Sequence, residues 1–122
     1  MPFIKFTDSG RSFAPKATIS AHGALSFNEG ACTRFQIKDF EAIVLYYDPD
    51  RSLIGVELTT DKQADGSRQL RKRHMGADIS AKPFLDRWDI FPSQTTMYPI
   101  TTDEETGLLV IDLTAGTARG KK

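Results

Sequence analysis

Apolar and polar residues alternate along this chain in short bursts, and the bursts come in the same order twice. Residues 17–20 (Ala-Thr-Ile-Ser) and 25–27 (Leu-Ser-Phe) have strand periodicity and meet at His22-Gly23-Ala24. Asn28 is placed to cap a helix, with Glu29 set against the positive end of its dipole. That helix must be brief, because Ala31, Cys32 and Phe35 are its only apolar positions before Ile37, and Gly30 weakens it. Residues 42–47 are apolar or aromatic, as in a buried strand. Asp48-Pro49-Asp50-Arg51 makes a turn, after which Ile54, Val56 and Leu58 alternate with Gly55 and Glu57 to complete a hairpin. Ahead of all this, residues 1–15 mix Phe3, Ile4, Phe6 and Phe13 with Asp8-Ser9-Gly10, which predicts an arm or edge strand broken by a turn.

A polar connector at residues 61–67 precedes the return of the pattern. Ser80 is expected to cap a second helix, whose Phe84, Leu85 and Trp88 share one face. Pro83 falls in its first turn, where a missing N–H costs nothing. A strand around 96–101, a turn at 103–107 and a last strand through Leu109, Ile111 and Leu113 follow. Residues 116–122 have little to bury and are expected to be a mobile tail.

Overlaying the halves sets Arg34-Phe35-Gln36-Ile37 on Arg87-Trp88-Asp89-Ile90, at an offset of 53. It also sets Asp48 on Asp103, and the strand from Leu53 to Thr59 on that from Leu108 to Thr114, at an offset of 55. Alternation alone would match the strands, but not the helix block upstream. The expected fold is a β-rich α+β single domain over residues 1–122, a small barrel of two pseudo-symmetric strand–helix–hairpin repeats. Repeat one spans about 17–60 and repeat two about 68–115. The two copies would pair about a pseudo-two-fold axis, a dimer within one chain, leaving room for a further homodimer.

Composition narrows the function. Sixteen basic and sixteen acidic residues cancel, so a bound polyanion has to be met by a local patch. No apolar run reaches the length of a membrane span, and the opening MPFIKFTDSG has no signal-peptide core. One cysteine, Cys32, allows no internal disulfide, and a reducing cytoplasm is its simplest home. The dense basic stretch is Arg68, Arg71, Lys72, Arg73 and His74, with Lys16, Arg11 and His22 as candidates to extend it. In a strand, Arg71 and Arg73 would share one face and Lys72 and Leu70 the other. Such cations neutralise phosphates; the alternative is a solvated edge that discourages aggregation.

The remaining candidates are weaker. Tyr46 and Tyr47 would face opposite sides of a strand, and exposed aromatics can stack on single-stranded bases; Trp88 reads as core. His22 and His74 stand beside glycine-containing turns at corresponding places, where an axis would bring them together, but further metal ligands are missing. No nucleophile–base pair, phosphate-binding glycine loop or carboxylate dyad is visible, so neither catalysis nor a cofactor is expected.

The first half resembles the AbrB/SpoVT family of swapped-hairpin DNA-binding domains. The residues that carry the resemblance are Thr18-Ile19-Ser20, Gly23, Leu25, Phe27, the helix from Asn28, Phe35-Gln36-Ile37, and the strands 43–45 and 54–58. The second half repeats the pattern more loosely from Gly76 to Thr114. Asn28 replaces the family's helix-starting Pro, Gln36 its Gly, Asp39-Phe40 its Pro-Gly loop, and Ala24 a frequent Arg. The resemblance implies an interlaced barrel and a transcriptional regulator or antitoxin-like protein. Lys16, Arg68, Arg71, Lys72, Arg73 and His74 would then contact DNA phosphates. The competing expectations are a non-catalytic protein-interaction module on the same fold, and single-strand binding through the aromatics.

Overall fold

In the computed structural model, which describes residues 14–90 and 95–118, each burst of alternation becomes a strand with one dry side. β1 (Lys16–Ile19) buries Ala17 and Ile19, and β2 (Ala24–Asn28) buries Leu25 and Phe27. Ser20 Oγ makes the turn between them by accepting from the His22 and Ala24 N–H groups. Gly23 takes φ +94° there, a conformation that side chains resist. Asn28 then caps α1 (Glu29–Phe35), its Oδ1 accepting from Ala31 N–H at 2.8 Å. Only the small residues Gly30, Ala31 and Cys32 of this helix are buried, so α1 lies close to the sheet.

β3 (Ala42–Asp48) and β4 (Leu53–Thr59) pair along their whole length, from Asp48↔Leu53 to Ala42↔Thr59. The basic stretch follows as β5 (Ser67–Gln69) and β6 (Arg71–Arg73), and then β7 (Gly76–Ser80). α2 (Lys82–Trp88), β8 (Thr96–Thr102), β9 (Leu109–Asp112) and β10 (Thr117–Ala118) complete the described elements. All the pairings are antiparallel, in the order β5-β3-β4-β9-β8-β1-β2-β7-β6, with β10 added to β8. The two ends of that path, β5 and β6, are consecutive in the chain and separated by Leu70 alone. The sheet is therefore a nearly closed barrel, with Ile19, Phe27, Ile43, Ile54, Ile79 and Ile111 filling its inside. No helix among the described residues is long and apolar enough to cross a membrane.

Four expectations change. Ser80 is a strand residue facing Ala24, and the cap of α2 is Ala81, which makes no side-chain cap bond. Leu113 leaves the last strand for a 3-10 turn, because Asp112 Oδ1 accepts from both Thr114 N–H and Thr114 Oγ1–H. Ser67, read as connector, already pairs with Val44, and Thr117 and Ala118, read as tail, pair with Met97 and Thr96. The arm at residues 1–13 lies outside the described residues, as does Arg11.

Candidate nucleic-acid interface

Register decides which cations meet. Gly76 closes the β6–β7 hairpin opposite Arg73, with His74 and Met75 as its two-residue turn, so Arg71 stands opposite Asp78. Inward positions are taken by Leu25 and Phe27 on β2 and by Ala77 and Ile79 on β7, so Ser26 and Asp78 point outward. The outer face thus carries one row of Thr18, Ser26, Asp78 and Arg71 across four strands. The neighbouring row holds Asn28, Gly76 and Arg73, with Lys16 at its β1 end. Gly76 is required here, since a β-carbon would stand 2.4 Å from the Phe27 carbonyl oxygen. Lys16 and Arg73 bracket this face, about 14 Å apart by strand spacing.

Asp78 accepts from two guanidinium groups. Arg71 Nε lies 2.6 Å from its Oδ1 and Arg73 Nε 3.0 Å from its Oδ2. One carboxylate therefore balances two arginines, and Lys16 has no ion pair among the described residues. Lys72 belongs elsewhere: it has the opposite strand phase, and its Nζ lies 3.3 Å from Glu41 Oε2. Leu70, of the same phase, is buried. Arg68 is on β5, where its Nε donates to the Ser80 carbonyl at 2.9 Å. His74 is exposed in the hairpin turn, whose carbonyls at Arg73 and His74 accept from Lys38 Nζ at 2.5 and 3.4 Å.

Of the six predicted residues, then, Lys16, Arg71 and Arg73 share a face. Arg68 borders it, His74 forms its rim, and Lys72 is spent on Glu41. Sequence reasoning missed Asp78, Glu41 and Lys38. The signal for Asp78 was present, because a two-residue turn at His74-Met75 puts it across from Arg71. His22 and His74 do not meet. Their turns stand at opposite ends of the β2–β7 ladder, beside Ala24↔Ser80 and Asn28↔Gly76 respectively. The described residues contain no group of three or more His, Cys, Asp and Glu placed to hold a metal.

Burial pushes the Cys32 thiol up, opposed by Lys38 and reinforced by Glu29. Tyr47 faces the core side and packs against Trp88 at 5.0 Å and Phe84 at 6.3 Å between ring centroids. Tyr46 faces outward, 46 % exposed, with its hydroxyl donating to Glu57 Oε1 at 2.6 Å. It edges an open groove of about 840 Å³ that also takes in Phe35, Phe40, Leu58 and Leu108. No family model, curated protein or solved structure matches the chain.

Proposed function

We propose that this chain is a nucleic-acid-binding regulator built from two diverged copies of one strand–helix–hairpin unit, in the manner of the AbrB-type interlaced barrel. Several correspondences support the two-copy reading. α1 and α2 end at Gln36 and Asp89, both left-handed, and each end is followed by a buried isoleucine, Ile37 or Ile90. Gly55 stands opposite Val110, its own counterpart 55 residues on, as a two-fold axis through the β4–β9 ladder requires. Ser26 and Asp78, 52 residues apart, are the central residues of β2 and β7 and face each other, so that ladder is symmetric about its middle as well. Each hairpin also closes on the other half's first strand: β3 pairs with β5, and β8 with β1.

The observation that carries the functional reading is the pair Arg71–Arg73 sharing Asp78 on an outward face bracketed by Lys16. Thr18 and Ser26 between them are short, so a polyanion can lie close to the sheet. Phosphates meeting these cations release counterions and make binding strongly salt-dependent. A protein of this kind works in the cytoplasm, where its single cysteine stays reduced.

The test titrates labelled duplex and single-stranded oligonucleotides at low salt and then raises the salt. Binding should weaken steeply with salt, and replacing Lys16, Arg71 and Arg73 with Ala should flatten that dependence. Lys72→Ala should leave it unchanged, and Asp78→Asn should steepen its slope by about one unit. No binding at micromolar protein and low ionic strength would end this reading. The groove beside Tyr46 favours one alternative, a protein-interaction module, in which oligonucleotides have no effect and a Leu58→Asp change abolishes partner capture.

A further inference from the structure

The split between β5 and β6 opens a second feature. If the β6–β7 register ran on, Gln69 would face Ser80. Instead the chain turns at Leu70, whose N–H donates to the Glu41 carbonyl at 3.0 Å, and β5 joins β3. The seam left between β5 and β7 is a hollow of about 420 Å³ lined by Ser67, Arg68, Gln69, Arg71 and Ser80. Arg68 spans it through its Nε bond to the Ser80 carbonyl.

The lining is rich in donors. Arg68 and Arg71 each use only Nε among the described residues, on Ser80 O and Asp78 Oδ1. Their terminal guanidinium N–H groups are left to solvent. The Gln69 amide and the Ser80 hydroxyl have no protein partner among the described residues, and Ser67 Oγ donates to Lys62 O at 3.0 Å. Asp78 is the carboxylate that pairs with Arg71 and Arg73, and Arg68 has no ion pair among the described residues, so the seam keeps an excess of positive charge. Two guanidinium groups on a concave, hydroxyl-lined wall suit a tetrahedral oxyanion better than a cation or an apolar group.

We propose that the β5–β7 seam is a phosphoryl-binding pocket, with Arg68 and Arg71 gripping the phosphoryl oxygens and Ser67, Gln69 and Ser80 completing the shell. The inference deepens the nucleic-acid reading, since a strand lying on the neighbouring face would seat one phosphate here; a free phosphate presents the same chemistry. The full chain is titrated with inorganic phosphate and, separately, with a short single-stranded oligonucleotide, following backbone amide resonances.

The expected result is that both ligands shift the amides of Ser67–Arg71 and Ser80. Arg68→Gln, which keeps the side chain's length, should weaken phosphate binding about tenfold or more, the loss of a charge-assisted contact. Arg51→Gln, at a distant exposed arginine, should leave it unchanged, and a preserved amide spectrum establishes that each variant is folded. If phosphate shifts these amides and the oligonucleotide does not bind, the pocket stands as a free-phosphate site and the nucleic-acid reading fails. If the oligonucleotide binds while the seam amides stay silent to both ligands, the pocket is overturned and the nucleic-acid reading survives. Silence to both overturns both.

Discussion

The two flanks of the barrel are closed in different ways. On one, β1 is paired along both edges at once: Ala17, Thr18 and Ile19 each face a residue of β2 and a residue of β8. Main-chain pairing seals that side. On the other flank the corresponding stretch is broken. β5 serves β3, β6 serves β7, and between them side chains bridge the seam, Arg68 to the Ser80 carbonyl and Lys72 to Glu41. The sealed strand reads Lys-Ala-Thr-Ile and the split one Ser-Arg-Gln-Leu-Arg-Lys-Arg. Cations accumulate where the ladder fails, because long charged side chains can reach across a gap that main-chain groups cannot. The same gap leaves their remaining donors facing solvent. In the proposed two-copy unit, one copy closes through its main chain and the other through its side chains.

The largest effect should come from the residue that pins the bend. Leu70 is 5 % exposed and sits between two strands that pull in different directions. Leu70→Ala should cost about 2–5 kcal/mol in chemical denaturation, the usual range for emptying a buried leucine site. The amides of β5 and β6 should also exchange faster, while those of β1 stay protected. A loss well under 1 kcal/mol would mean that the bridges from Arg68 and Lys72 hold the seam, and that the comparison between flanks is one of charge rather than packing.

This contrast explains what could be read in advance. The strands at Ala17, Leu25, Ile54 and Ile111 were legible because alternation by itself states which side is dry. Asn28 and Asp48 were legible because their short side chains bond the backbone two or three residues on, which is local chemistry. The break at Leu70 was not. Residues 67–73 alternate well enough for a single strand, and only the competition between β3 and β7 for partners splits them. The loss of Lys72 to Glu41 was equally hidden, since that pair lies 31 residues apart. Ser80 misled because it looks like a cap in sequence, yet its backbone is committed to pairing with Ala24. Of the candidate interface, the segment was legible and so was Asp78 across the His74-Met75 turn, whereas Glu41, which takes up Lys72, was not.

The helix caps offer a smaller contrast between the halves. Asn28 Oδ1 accepts from Ala31 N–H at 2.8 Å and from Lys16 N–H at 3.1 Å, while Asn28 Nδ2 donates to the Ala14 carbonyl at 3.0 Å. One side chain thus caps α1 and ties it to the sealed flank. Asn28→Ala should cost about 1 kcal/mol or somewhat more. Ser80→Ala, at the site the sequence marks as the matching cap, should change stability by less than about 0.5 kcal/mol. Equal losses from the two variants would restore Ser80 as a structural counterpart of Asn28 and weaken its assignment to the seam pocket. Paired urea titrations of both variants decide the matter.

The smallest effect lies in the two hairpin turns. Asp48 accepts from the Asp50 and Arg51 N–H groups and from Arg51 Nε at 2.8 Å. Its counterpart Asp103 accepts from Glu105 N–H and from the Thr106 hydroxyl at 2.7 Å, and feels the Arg51 charge only through space, without a hydrogen bond to it. The Arg51 guanidinium holds the Asp48 carboxyl below its ordinary value of 3.8. A carboxyl depressed in the folded state stabilises fully above that ordinary value and loses its contribution as pH falls through the lowered one. Arg51→Thr, which copies the second turn onto the first, should therefore lower the thermal midpoint slightly near neutral pH. The difference should shrink as pH drops below 3.8, and added salt should shrink it too, because the pair is exposed. A difference that persists unchanged in acid would assign the effect to the arginine's packing rather than its charge, and would leave the two turns electrostatically alike.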